Sequence, residues 1–208
     1  MGLGVLLFKS PAAFLILAVP LLYSVIIHEI SHGWVAFLFG DDTAKRSGRL
    51  SLNPLSHLDP VGTLALFLVG FGWAKPVPIN YANIRNFRLG LVCVSLAGCL
   101  ANIILAALAL LALQLPAIQN NQLLASVLIV MTKINIMLAA LNLIPIPPLD
   151  GSRILLAILP PRAQLVLVRL EPYGLLILFG LLFTGALNSV IIYIENLIVG
   201  IIRLFIRI

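Results

Sequence analysis

The chain has 208 residues, 62% of them hydrophobic and 10% charged, with a mean hydropathy of +1.15 and a formal net charge of +6. A soluble domain of this length cannot hide so much apolar surface. Lipid is therefore the solvent for most of it, and residues 1–208 read as one membrane-embedded domain of about four to six segments. The basic residues come in ones and twos, which excludes nucleic acid as a partner and fits loops facing anionic lipid.

The first eight residues carry no positive side chain, and no small-residue cleavage pattern precedes residue 28, so the N-terminal stretch is predicted to be retained. Residues 12–39 form the first long apolar segment, ample for a span at about 1.5 Å per residue. Gly40-Asp41-Asp42 ends it, and both aspartates are expected to be solvated there. Residues 41–60 are the most polar stretch of the chain. Residues 61–73, VGTLALFLVGFGW, are too short to cross as a helix, which predicts a re-entrant or β-hairpin element near 61–80, flanked by short strands.

A second span is expected over 89–115 and a third over 123 to about 144, joined by the uncharged PAIQNNQ. The third runs into IPIPPLDG, where three prolines forbid further helix. Residues 173–206 are apolar but broken by TGALN at 184–188. They fit either one tilted span or a short span followed by an interfacial helix. Glu171 and Glu195 lie among arginines with which they can pair, and Cys93 and Cys99 read as small core residues without a CxxC spacing. The fold class is an α-helical polytopic membrane protein.

Charge bias sets the orientation. Lys45, Arg46 and Arg49 follow the first span, Lys75, Arg85 and Arg88 precede the second, and Arg153, Arg162 and Arg169 follow the third, whereas the 116–122 connection has no charge. By the positive-inside rule the three basic clusters are cytoplasmic and that connection is outside. Asp150 is then delivered to the same membrane face as the stretch HEISH at 28–32.

That stretch carries the chemistry. On a helix, His28 and His32 lie one turn apart on one face and can offer two ring nitrogens to one metal ion, while Glu29 is placed to take a proton from activated water. HExxH alone is a weak pattern. An ionisable cluster in a lipid-facing segment is costly, however, and defaults to function. A catalytic zinc of this type wants a third protein ligand and one open position. Among seven acidic residues Asp150 is the best candidate, because it follows a broken helix at the right face; His57 reads as loop structure or as a group behind the ligands.

HEISH on a membrane helix, SLAGCLANIILA at 95–106 and NLIPIPPLDG at 142–151 together resemble the site-2 protease family of intramembrane zinc metalloproteases, and GDDTAKRSGRLSLNPLSHLDPVGTL and GWAKPVPIN resemble its short prokaryotic branch. The resemblance covers most of the chain. It implies one zinc ion held by His28, His32 and Asp150, water activation by Glu29, and a site lined by Asn102 and Asn142. It also implies cleavage of peptide bonds within or near transmembrane helices of other proteins, in a prokaryotic inner (plasma) membrane with the site towards the cytoplasm. Cys99 stands where the family usually has a proline. No PDZ-like or CBS-like module fits in this length, so gating by such a module is expected to be absent or supplied by a partner, with a homo-oligomer or a separate regulatory protein as the candidate partners. The alternative is a non-catalytic metal-binding protein or divalent-metal carrier, for which ligands should line a path between both faces. Lys133, in mid-span, has no evident role.

Overall fold

The computed structural model describes residues 3–70 and 72–206. The described chain is helical: α1 (Leu3–Lys9), α2 (Pro11–Leu38), α3 (Thr43–Arg46), α4 (Pro60–Val69), α5 (Phe87–Ala112), α6 (Pro116–Gln119), α7 (Gln122–Asn142), α8 (Asp150–Ile158), α9 (Pro161–Leu170), α10 (Gly174–Phe183) and α11 (Asn188–Phe205). Among the described residues, five stretches are long and apolar enough to cross a membrane: α2, α5, α7, the Pro161–Phe183 stretch that includes α9 and α10, and α11. The molecule is a polytopic helical membrane protein. Its surface agrees, with Phe8, Leu38, Leu176, Phe183, Leu204 and Phe205 largely exposed, as lipid-facing side chains should be.

Local chemistry starts and stops these helices. Ser10 caps α2 by accepting from the Ala13 N–H, with Pro11 at the first helical position where no amide hydrogen is needed. Asn121 caps α7 in the same way through the Leu124 N–H. Helix α7 ends at Asn142, and the proline-rich Ile144–Pro148 stretch cannot resume it until α8 begins at Asp150.

The 61–80 element takes a helical form. Asp59 caps α4 through the Gly62 N–H, and Gly70 closes it with a left-handed φ of 83°. Among the described residues, a single antiparallel bridge, Leu58 to Ala74, stands in place of flanking strands, beside a bond from the Lys75 N–H to the His57 carbonyl. Gly62 and Gly72 allow this closure, because a Cβ on Gly72 would sit 2.2 Å from the Gly62 carbonyl oxygen. The far end of α4 packs on α1, and Phe67 meets Phe14 of α2 with ring centroids 5.9 Å apart. Phe14 lies roughly 21 Å along the helix from His28 at 1.5 Å per residue, so α4 runs back beside α2 as a re-entrant element.

At the centre, α5 packs against α2, α7 and α8. Its inward face is built from Gly90, Leu91, Val94, Ser95, Gly98, Asn102, Ala106 and Ala109, mostly small residues that let the helices approach closely. The 173–206 region resolves into two helices, α10 and α11. Ile198, Ile202 and Ile206 at its end pack on Ala106, Ile136, Ala139 and Ala140. Glu171 and Glu195 form no ion pair among the described residues, against the pairing expected from sequence. Lys133 is exposed on α7.

Candidate active site

His28 and His32, a helical turn apart on α2, both turn inward and are 7% exposed. Each ring is fixed from behind by α5. His28 Nδ1 lies 3.0 Å from Asn102 Oδ1, and His32 Nδ1 donates to the Val94 carbonyl at 2.7 Å. A carbonyl only accepts, so His32 Nδ1 carries the hydrogen and Nε2 keeps its lone pair. Donation to Asn102 Oδ1 leaves His28 in the same tautomer.

The two Nε2 atoms are 3.1 Å apart, and Asp150 Oδ2 lies 3.2 Å from each. Asp150 Oδ2 is buried and accepts no hydrogen bond among the described residues. With both rings neutral, three lone-pair donors converge here, an arrangement that repels itself unless a cation fills it. Tetrahedral zinc at 2.0–2.1 Å from nitrogen or oxygen ligands implies edges of about 3.3 Å, close to the three edges observed. The donor set fits zinc. These are the only three His, Cys, Asp or Glu side chains among the described residues grouped in this way.

Helix α5 makes room for the cluster. A Cβ on Gly98 would lie 2.5 Å from both His28 Cε1 and His32 Nε2, so only glycine allows this approach. Gly98 and Asn102, one turn apart, form a stripe in which one residue admits the rings and the other orients His28.

The cluster opens into a cavity of about 230 Å³. Glu29, Val77, Tyr81, Ser95, Asn142 and Arg153 line it beside the three ligand candidates. Glu29 Oε2 accepts the Val77 N–H at 2.9 Å. Arg153 donates to the Tyr81 hydroxyl, and burial, the largest influence, pushes the Tyr81 phenol upward despite the guanidinium. Ser95 is 1% exposed and its hydroxyl has no partner among the described residues.

Residues singled out from sequence fall into three groups. His28, Glu29, His32 and Asp150 meet at one cavity, and Asn142 lines it while its amide donates to the Leu138 carbonyl at 3.0 Å. Asn102 sits behind His28, fully buried, and reaches the cavity only through that ring. His57 stays in its loop, with Nε2 donating to the Ser51 carbonyl at 2.8 Å. Asp41 corrects the expectation of a solvated carboxylate. It is completely buried and accepts from the Thr43 N–H and hydroxyl, the Asn80 N–H and the Asn83 amide, because the 80–83 turn folds over it. Burial alone would raise its pKa, but these bonds outweigh it and hold the carboxyl below the usual range. Gly98, Val77 and Arg153 were not foreseen. Only Gly98 had a usable signal, its spacing of one turn from Asn102.

The chain is 39% identical over 184 residues to "Putative zinc metalloprotease YwhC" of Bacillus subtilis (strain 168), an alignment that covers 85% of this chain and 84% of that protein. The model of Peptidase family M50 matches residues 116–185, which include α7 and Asp150. The chain belongs to that family. A second relative, "Putative zinc metalloprotease Rip2" of Mycolicibacterium smegmatis, is 32% identical over 183 residues, covering 84% of this chain and 69% of its own length. No solved structure matches the chain. Membership supports a metallopeptidase role and places the cluster in a protein related to zinc metalloproteases.

Proposed function

We propose that this M50 protein is an intramembrane endopeptidase that binds one zinc ion and hydrolyses peptide bonds within or next to transmembrane helices of other proteins, close to the cytoplasmic face. The observation that carries this reading is the placement of Glu29 in the same cavity as the His28–His32–Asp150 cluster, within a bundle of membrane-length helices. Zinc would be held by His28 Nε2, His32 Nε2 and Asp150 Oδ2, and when bound it would supply a Lewis acid to the scissile carbonyl and to water.

The chain's own groups do the rest. Glu29 has Oε2 tethered by Val77 and no hydrogen bond to Oε1 among the described residues, so Oε1 can take a proton from the attacking water and return it to the leaving nitrogen. A substrate helix must unwind locally to present a bond, and its freed backbone groups then need partners in the absence of bulk water. The Ser95 hydroxyl and the Asn142 amide line the cavity where such groups would enter. The basic residues around 45–49, 75–88 and 153–169 support a cytoplasmic position for this end of the bundle, in a prokaryotic plasma membrane.

The test is reconstitution with single-span substrates in liposomes. Cleavage in or beside the span, abolished by chelation and restored by zinc, is the expected result. Zinc influx into substrate-free vesicles without any cleavage would instead make the protein a carrier.

A further inference from the structure

We infer that Arg49 is a positioning residue for Glu29, acting through the peptide group between Pro76 and Val77; this rests on the peptidase reading of the cavity. Arg49 is 8% exposed, and its Nη2 donates to the carbonyls of Lys75 at 2.7 Å and Pro76 at 3.2 Å. The nitrogen bonded to the Pro76 carbonyl carbon is that of Val77, whose N–H donates to Glu29 Oε2 at 2.9 Å. One peptide group therefore takes a cationic donor on its oxygen and gives its hydrogen to the catalytic carboxylate. In a trans peptide these two bonds point in opposite directions, so the loop is held between Arg49 and α2. A cation on the carbonyl also polarises the amide and strengthens its donation.

The sequence around this peptide serves the same end. In KPVPI, residues 75–79, the prolines at 76 and 78 have no N–H, so Val77 offers the sole amide hydrogen of those three residues to Glu29. The prolines also fix φ on both sides and limit the ways the loop can turn that hydrogen away. Further anchors lie at the ends, where the Lys75 N–H donates to His57 and the Asn80 N–H to Asp41. Arg49 makes no direct ion pair with Glu29, so its effect must pass through the peptide.

The test compares wild type, Arg49→Gln, Arg49→Lys and Glu29→Gln, with kcat, KM and zinc content read beside the hydrogen-exchange rate of the Val77 amide. Arg49→Gln is expected to lower kcat about tenfold or more, as misplacing a catalytic group does, with KM within about twofold and zinc unchanged. The Val77 amide should exchange at least about tenfold faster in that variant. Arg49→Lys keeps the charge but withdraws the guanidinium, and should fall in between on both measures. Unchanged kcat in Arg49→Gln, or lost kcat with undiminished Val77 protection, overturns the inference. If Arg49→Gln does not fold, wild-type kcat and protection in Arg49→Lys overturn it equally. Should the wild type cleave nothing, the peptidase reading fails, while the Val77 exchange rates in the Arg49 variants still decide whether Arg49 governs that amide.

Discussion

His28 Nε2 on α2 and Asp150 Oδ2 at the start of α8 stand 3.2 Å apart, although most of the chain separates them in sequence. The contact exists because α5 packs on both elements and the proline-rich turn after α7 delivers Asp150 back to it. Replacing Asp150 by alanine removes one of three ligands. Zinc content measured after dialysis should fall from one ion per chain to well below half, with activity lost. Full zinc retention in Asp150→Ala, with loss in His57→Ala or Asp59→Ala, would move the third ligand elsewhere.

Gly98→Ala offers a sharper steric test. In a helix interior, alanine in place of glycine ordinarily stabilises by roughly 0.5–1 kcal/mol. Here the added methyl meets His28 Cε1 and His32 Nε2 at 2.5 Å, so the rings must move. Zinc affinity, measured by competition with a chelating dye, should drop at least about tenfold. Unaltered affinity would mean that α5 does not shape the ligand geometry.

Asp41 predicts a pH dependence. Its hydrogen bonds hold the carboxyl below the ordinary carboxylate range, so the stabilisation it brings is fully present above pH ~4 and is lost as pH falls through the depressed folded value. Asp41→Asn should cost about 2 kcal/mol near neutral pH, because four donors lose a charged acceptor. The variant should also flatten the acid limb of a thermal-denaturation series. A parallel acid limb in wild type and variant would contradict this.

Much of the site was legible because its chemistry is local. HEISH declares one helical face, and the prolines before Asp150 announce a break. The partners that the 77–83 segment brings to Asp41 and Glu29 were not legible, since two of the three are backbone N–H groups of a loop more than thirty residues later. A backbone amide leaves no mark in the sequence, and an aspartate beside a helix end looks the same whether or not a later turn covers it. The length and hydropathy of 61–73 indicated a re-entrant element but could not tell its helix from a hairpin of strands.

Orientation is checked by accessibility. Single cysteines at Asn120 and Arg162, in a background without Cys93 and Cys99, should react with an impermeant reagent from opposite sides of sealed vesicles, since α7 and the turn after it separate them. Reaction from the same side would break the assignment of the site to the cytoplasmic face.

The central claim is that Glu29 moves the proton while His28, His32 and Asp150 hold the metal, and zinc content and substrate cleavage measured side by side for wild type and Glu29→Gln test it most directly. Glutamine keeps the size of the side chain and can still accept the Val77 N–H, but it lacks a basic oxygen. The account predicts one zinc per chain in both proteins and turnover about 10²–10⁴-fold lower in Glu29→Gln, the range of general-base assistance. Cleavage by Glu29→Gln at the wild-type rate would contradict it.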